Sequence, residues 1–365
     1  RHNFRAPFPA TVELDTSLPR FKPAADLRTK FSIGGALRSA VKRHRPEVVI
    51  STTADHELLP EAVLGLIGRR SIPRNIKSIA ITHHGYGGLS RDWKDRVKDM
   101  VYTFAFRFSK RSQLFTVNPV VFERIKKLGI PIALLPDPVE SADVMSKQDA
   151  RIRLGLPTNG RYIGHVGAAD RRKAIPELLQ GFISAKEKGD HLILAGRIDP
   201  VHRACIDTNF SDAIRDGSIL LFDQFLSRDE FTTFISACDV IAPLSYPRAE
   251  LSANFLNAVI LGRTVVADGF GYTGRMIETF GLGARCNVHD SVSISAAIRE
   301  AFDMSAAQQM HDAAEKLGAF HKVDNFGATL RQTICKLTQM PMSEQPLYWD
   351  SLVQDLSCVD QRLQP

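Results

Sequence analysis

The chain has 365 residues, 44% hydrophobic and 24% charged, a length that suits two domains of ordinary size and a composition that excludes disordered and fibrous classes. Its five cysteines, Cys205, Cys238, Cys286, Cys335 and Cys358, are odd in number, widely spaced and never CxxC, which argues for reduced thiols in a cytoplasm and against a disulfide or zinc framework. The net charge of +7 is uneven: residues 1–150 hold 25 Lys+Arg against 15 Asp+Glu, leaving 22 against 25 of the total 47 and 40 for residues 151–365. A basic first half suits an anionic membrane surface, a phosphate-bearing acceptor or nucleic acid, and suits a plain solvated face equally well.

No apolar run approaches the ~18–20 residues that cross a bilayer. The opening RHNFRAPFPATVELD, which starts at Arg1, has no apolar core with a small-residue cleavage site, so a signal peptide is not expected. From about residue 33, short β-branched runs alternate with amphipathic segments, the pattern of repeated βα units around parallel sheets. Strands are expected at 47–51, 78–82, 114–117 and 132–135, with helices at about 35–45, 56–69, 91–109 and 119–128. The third helix, in RDWKDRVKDMVYTFAFRFSKR, mixes aromatics with cations. It reads as an interfacial anchor on anionic lipid or, the favoured reading, as a helix burying Val101, Tyr102, Phe104 and Phe108 with snorkelling cations.

The polar segment MSKQDARIRLGLPTNG, 145–160, marks the linker and the first helix of a second domain. The expected division is 1–143, 144–340 and a C-terminal helix or tail over 341–365. Strands in the second domain are expected at 162–166, 192–195, 219–222, 240–244, 264–267 and 284–288, with at least two helices after the last, at about 305–319 and 323–339. These strands are continuously apolar, as when helices cover both sheet faces. Ligands of such sheets bind beyond the carboxyl ends of the strands, so the loops there are where chemistry is sought.

Two of those loops stand out. In RYIGHVGAADRRKAIPELLQGF, 161–182, a strand runs into Gly164 and Gly167, then Arg171, Arg172 and Lys173, then a helix with the apolar stripe Ile175, Leu178, Leu179, Phe182 and Ile183. Glycine lets backbone approach a ligand, a helix start presents amide donors, and adjacent cations suit a diphosphate. In LSYPRAELSANFLNAVILGRTVVADGFG, 244–271, Ser252 is placed to cap a helix that closes at Gly262, with Asn254 and Asn257 sharing a face opposite Phe255, Val259 and Ile260. Each loop alone is as well explained by an ordinary turn or a solvent-facing asparagine. Two anion-suited helix starts three strand units apart can line one cleft, which suits a nucleoside diphosphate. In the first half, ITHHGYGGLSRDW brings His83 and His84 to the end of a strand, STTADH brings Asp55 and His56, and Asp137 in LLPDP reads as a turn former at the junction.

Over roughly 35–340 the chain resembles GT-B glycosyltransferases of the family 4 type, in the order of RPEVVIST, LLPDPVE, the 161–182 loop, LILAGRI, ILLFDQFLSRDEFTTFISACDVIAPLS and NAVILGRTVVADGFG. The resemblance implies an α/β GT-B fold, two Rossmann-like doubly wound parallel-sheet domains facing a cleft. It implies that Lys173 grips the donor phosphates with Arg172 or Arg171, that Phe225 and Leu226 lie nearest the nucleobase, and that a histidine such as His84 meets sugar or acceptor. Gly167, Ser252 and Asn254 complete the expected donor site.

The sequence departs from the family at Ala168, where an arginine is usual, and at Ala249 and Asn257, where the family often has glutamates. Glu250 stands one residue from the catalytic position, and Asn257 is left to hydrogen-bond a ribose hydroxyl. Similar enzymes also open with a strand and a glycine-rich turn. Residues 1–32 show no such pattern, so the first βα unit is expected to be missing or reduced. The implied activity is retaining transfer from a UDP- or GDP-sugar to a glycan, lipid-linked or protein acceptor in polysaccharide assembly, in the cytoplasm or at the inner face of a membrane. No cofactor is expected, and no DxD-like spacing suggests a metal. Rival readings are a nucleotide-sugar epimerase of the same architecture and a catalytically silent nucleotide-sugar-binding or scaffold protein. A nucleic-acid partner has only the pI of 9.2 in its favour and no aromatic-basic recognition motif.

Overall fold

The computed structural model describes residues 27–83, 93–140, 145–246, 252–306, 311–342 and 344–351. In the first half, β1 (Val48–Ser51), β2 (Lys77–Thr82), β3 (Gln113–Thr116) and β4 (Ala133–Leu134) form a parallel sheet in the order β1-β2-β3-β4. The helices here are α1 (Leu27–His44), α2 (Leu58–Leu66), α3 (Trp93–Phe108) and α4 (Pro119–Lys127). Strand alternation sorts the side chains to two faces. Ala80 and Leu114 pack with Leu58, Ala105, Phe106 and Ile125 of α2, α3 and α4, whereas Ile79, Ile81 and Phe115 form a separate cluster. The helix over that second cluster comes from the end of the chain: Phe326, Leu330, Ile334 and Leu337 of α14 (Val323–Thr338) lie against it, one helical stripe.

The second half runs α5 (Lys147–Arg153), β5 (Arg161–Val166), α6 (Ile175–Ala185), β6 (Asp190–Ala195), α7 (Pro200–Asn209), α8 (Ser211–Arg215), β7 (Ile219–Phe222), α9 (Arg228–Ala237), β8 (Val240–Ile241), α10 (Ala253–Ile260), β9 (Thr264–Asp268), α11 (Gly271–Phe280), β10 (Gly283–Cys286), α12 (Ser291–Ala306) and α13 (His311–Phe320). Its parallel sheet has the order β10-β9-β8-β5-β6-β7. The order therefore reverses between β5 and β8, the switch point at which such sheets open a crevice. Along β6, Ile193 and Ala195 face one core and Leu192 and Leu194 the other, so both sheet faces are buried.

Two expectations change. β8 is two residues long rather than five because Pro243 has no N–H for the ladder, although Ala242 N still donates to Gly164 O at 2.8 Å. Three helices follow β10, where at least two were expected, and the first of them, α12, packs on α6, where Gly181 leaves room for Ile294: a Cβ there would lie 2.6 Å from the Ile294 Cγ2. In α3, Val101 is at the surface with Trp93, Val97 and Met100, while Ala105 and Phe106 enter the core. The basic excess of the first half is not all superficial, since Arg111 is buried and held by Glu57 and Glu61 at 2.6 Å each.

The halves meet on both sides of Pro138. Val139 N donates to His321 O at 2.8 Å, and the His321 Nδ1 bonds to Asp137 O at 2.9 Å. A shared apolar cluster joins Val120, Phe122 and Val139 to Tyr272, Met276, Phe280 and Trp349.

Candidate functional site

The two loops singled out by sequence flank the switch point of the second sheet, and backbone-level contacts join them. Gly167, just past β5, has φ +113°, a conformation side chains rarely adopt, and a Cβ there would sit 2.7 Å from Asn254 Nδ2. Asn254, in the first turn of α10, donates that Nδ2 to Val166 O at 2.6 Å. Gly196, past β6, is as confined, since its Cβ would lie 2.2 Å from Gly167 O. Further along, Tyr246 N donates to Arg172 O at 2.9 Å, and the Tyr246 hydroxyl reaches both Glu177 oxygens in α6. The chain after β8 is thus fastened to the chain after β5 at both ends of the latter loop.

Within the loop, Asp170 accepts from Arg172 N and from the Arg172 guanidinium, and its backbone oxygen accepts from Lys173 N at 2.8 Å. The Arg172 hydrogen bonds draw the Asp170 carboxyl down to about 2. Arg171 extends the other way, to Asp199 at the start of α7, at 3.5 Å. Pairs this exposed are worth only ~0–1 kcal/mol, so an incoming diphosphate can redirect either arginine. Lys173 is half-buried and lies close enough to His165 for its charge to reinforce burial in lowering that histidine to about 4. His165 is therefore neutral at pH 7, and the positive charge beneath the loop belongs to Lys173.

Neither α6 nor α10 has a side-chain cap. Ser252 occupies the N-cap position of α10 as expected, yet its hydroxyl makes no capping bond, which leaves the first-turn amides to another acceptor. Gly262 closes this helix with φ +67°. Asn257 does not share an open face with Asn254. It is buried and donates Nδ2 to Ala253 O at 2.7 Å, in a helix that packs against α9 and α13. In the loop after β7, Leu226 packs on the core and Phe225 is 82% exposed. Asp223 ties that loop to its neighbour by accepting from Ile198 N at 2.9 Å. His84, Ala249 and Glu250 lie outside the described residues.

Across the junction, the strand ends of the first sheet bring together residues from three loops. His83, past β2, donates its backbone N to Asp55 at 3.1 Å, and its Nε2 lies 2.9 Å from Thr52 O, past β1. Asp137, past β4, is close enough to feel a His83 charge, though burial outweighs it and raises the Asp137 carboxyl above the usual range. Sequence reasoning took Asp137 for a turn former. The signal it passed over was position: Asp137 follows the last strand of the first sheet at its carboxyl end. Among the described residues no group of three His, Cys, Asp or Glu side chains is placed to hold a metal ion.

Neither a protein-family model nor a curated protein matches this chain in sequence. Solved structures do match in shape. Sucrose-phosphate synthase from Thermosynechococcus elongatus is 17% identical with a TM-score of 0.65, covering 86% of this chain and 79% of its own. HepE from Anabaena, solved with UDP, is 16% identical with a TM-score of 0.58, covering 83% and 82%. WaaG, a glycosyltransferase involved in lipopolysaccharide biosynthesis, is 14% identical with a TM-score of 0.57, covering 87% and 85%. The switch-point order of the second sheet, the second, smaller parallel sheet and these likenesses together give the chain the two-domain, Rossmann-like GT-B fold.

Proposed function

We propose that the protein is a glycosyltransferase that moves a sugar from a nucleotide-diphosphate donor to an acceptor hydroxyl in glycan or polysaccharide assembly. The observation that carries this reading is the contact of Gly167 with Asn254 at the switch point, which joins the turn leading to Lys173 and Arg172 to the start of α10, two helix starts without side-chain caps. A departing diphosphate accumulates negative charge there. Lys173 and the first-turn amides are fixed before the reaction, so they stabilise that charge with little reorganisation. The nucleotide base is assigned to the loop carrying Phe225 and Leu226. His83, Asp55 and Asp137 then face the acceptor. The donors bound by HepE, UDP and UDP-glucose, favour a uridine nucleotide over GDP. The rest of the reading is metal-independent transfer with retention, no bound cofactor, and a cytoplasmic protein working at a membrane face.

The test is titration with UDP and GDP by thermal shift, followed by donor turnover in Lys173→Ala. Loss of one preorganised charge donor is expected to lower kcat/KM by ~10²–10³. Turnover within a few-fold of wild type would remove Lys173 from the phosphate site. An epimerase would convert donor with no acceptor present, and a silent binding protein would shift with UDP but turn over nothing.

A further inference from the structure

Helices α6 and α9 both carry a glutamate at the third position after the N-cap, and the two carboxylates are held differently. In α9, Glu230 reaches back to its own N-cap, where Ser227 N donates to it at 2.7 Å and the helix start is closed. Glu177 has the same position in α6, behind the N-cap residue Ala174, but is turned to a different partner. The Tyr246 hydroxyl donates to it, 2.9 and 3.1 Å from its two oxygens. Tyr246 enters from the chain after β8, half-buried, with its ring stacked on His289 at 5.5 Å and 19° and its backbone N on Arg172 O at 2.9 Å. One residue thus holds both the backbone of the loop after β5 and the first carboxylate of the helix that follows it. The other carboxylate of that loop, Asp170, is taken by Arg172.

We infer that Tyr246 is a positioning residue for the donor diphosphate, whose hydroxyl holds the Glu177 carboxylate out of the phosphate site proposed around Lys173. This rests on the transferase reading. The cation nearest to Glu177 in the chain is Lys173, four residues earlier. A carboxylate that turned to Lys173 would neutralise the charge that meets the diphosphate and set a like charge against the phosphates. Because the hydroxyl meets both carboxylate oxygens and the stacked ring fixes its direction, Glu177 is already occupied when a donor arrives. Burial, and then the Glu177 bond, raise the Tyr246 hydroxyl above its ordinary value, so it stays protonated and donating at neutral pH. Tyr246 acts through Glu177 and needs no contact with the donor itself.

The test is calorimetric titration of UDP into the full chain as wild type, Tyr246→Phe, Glu177→Asp, Glu177→Gln and the double variant Tyr246→Phe/Glu177→Gln. Tyr246→Phe keeps the ring and releases the carboxylate, so UDP affinity is expected to fall about tenfold, with donor KM rising in step and kcat changing less. Glu177→Asp shortens the side chain away from the hydroxyl and should weaken UDP in the same way with the tyrosine intact. Glu177→Gln removes the charge, so the double variant should return to within about twofold of wild type. A tyrosine that only braced the loop would leave the double variant as weak as Tyr246→Phe or weaker. That result, or undiminished affinity in Tyr246→Phe, would overturn the inference. A wild-type chain that binds neither UDP nor GDP would remove the donor reading and this inference together, whereas wild-type binding of UDP without the rescue counts against Tyr246 alone.

Discussion

The loops at the carboxyl ends of the two sheets are organised by different means. Beyond β5, β6 and β8 the loops are joined through backbone atoms and close glycines, with Gly167 set against both Gly196 and Asn254. Beyond β1, β2 and β4 carboxylate side chains join the loops, with Asp55 accepting from His83 N and Asp137 within reach of the His83 charge. The contrast has a physical logic. Under the proposed function, the diphosphate shared by UDP- and GDP-sugars would be met by fixed backbone dipoles, and the acceptor by exchangeable side chains.

The comparison breaks most sharply at Gly167. Gly167→Ala is expected to cost ~1–3 kcal/mol for the backbone conformation and about as much again for the Asn254 clash, and to remove nucleotide binding with it. Gly189→Ala is the control, because φ is +92° there and nothing stands within 4 Å. Chemical denaturation of the two variants should differ by the clash alone. If they match, the two loops are not locked.

The next largest effect is pH dependence, carried by one buried histidine beneath the phosphate loop and another at the junction. His165 and His321 are both pushed from 6.5 to about 4, chiefly by burial. A folded pKa below the unfolded one means that the unfolded chain binds more protons between those values. Stability is therefore full above pH 6.5 and drains as pH falls toward 4, by roughly 2 kcal/mol per histidine on reaching pH 5. Denaturant titrations of His165→Asn and His321→Asn at pH 7 and 5 should each show a shallower loss than wild type. His165→Asn alone should also disturb UDP affinity.

The second half was legible in sequence because its signals are backbone signals. A glycine at the end of an apolar strand and a polar helix start have the same local meaning whatever surrounds them, so the turn at Gly167 and the helix start at Ser252 are readable without knowledge of their contacts. Asn257 was misread because helical spacing gives a face but not what covers it, and α13, which lies on that helix, arrives some fifty residues later in the chain. Asp137 was missed for a related reason: an aspartate between two prolines satisfies every local rule for a turn, and only the folded junction buries its carboxyl beside His83. Asp137→Asn tests whether that burial matters, with an expected loss of about tenfold in acceptor kcat/KM and no change in UDP affinity, the reverse of Gly167→Ala.

The smallest effect concerns the outer surface, where the halves also differ. Trp93, Val97, Met100 and Val101 share one exposed stripe of α3, α2 packs against this helix and ends in the exposed Leu66 and Ile67, and Lys94, Arg96 and Arg69 are also exposed. An apolar stripe rimmed by cations is what an anionic lipid surface selects. Among the described residues no helix is long and apolar enough to cross a membrane. Met100→Glu places a like charge against such a surface on a side chain already 70% exposed, so folding and UDP affinity should stay as they are. Sedimentation with phosphatidylserine-containing vesicles should fall several-fold, and high salt should reduce binding of the wild type as well. Binding that is indifferent to both changes would leave the excess positive charge of the first half as ordinary solvated surface.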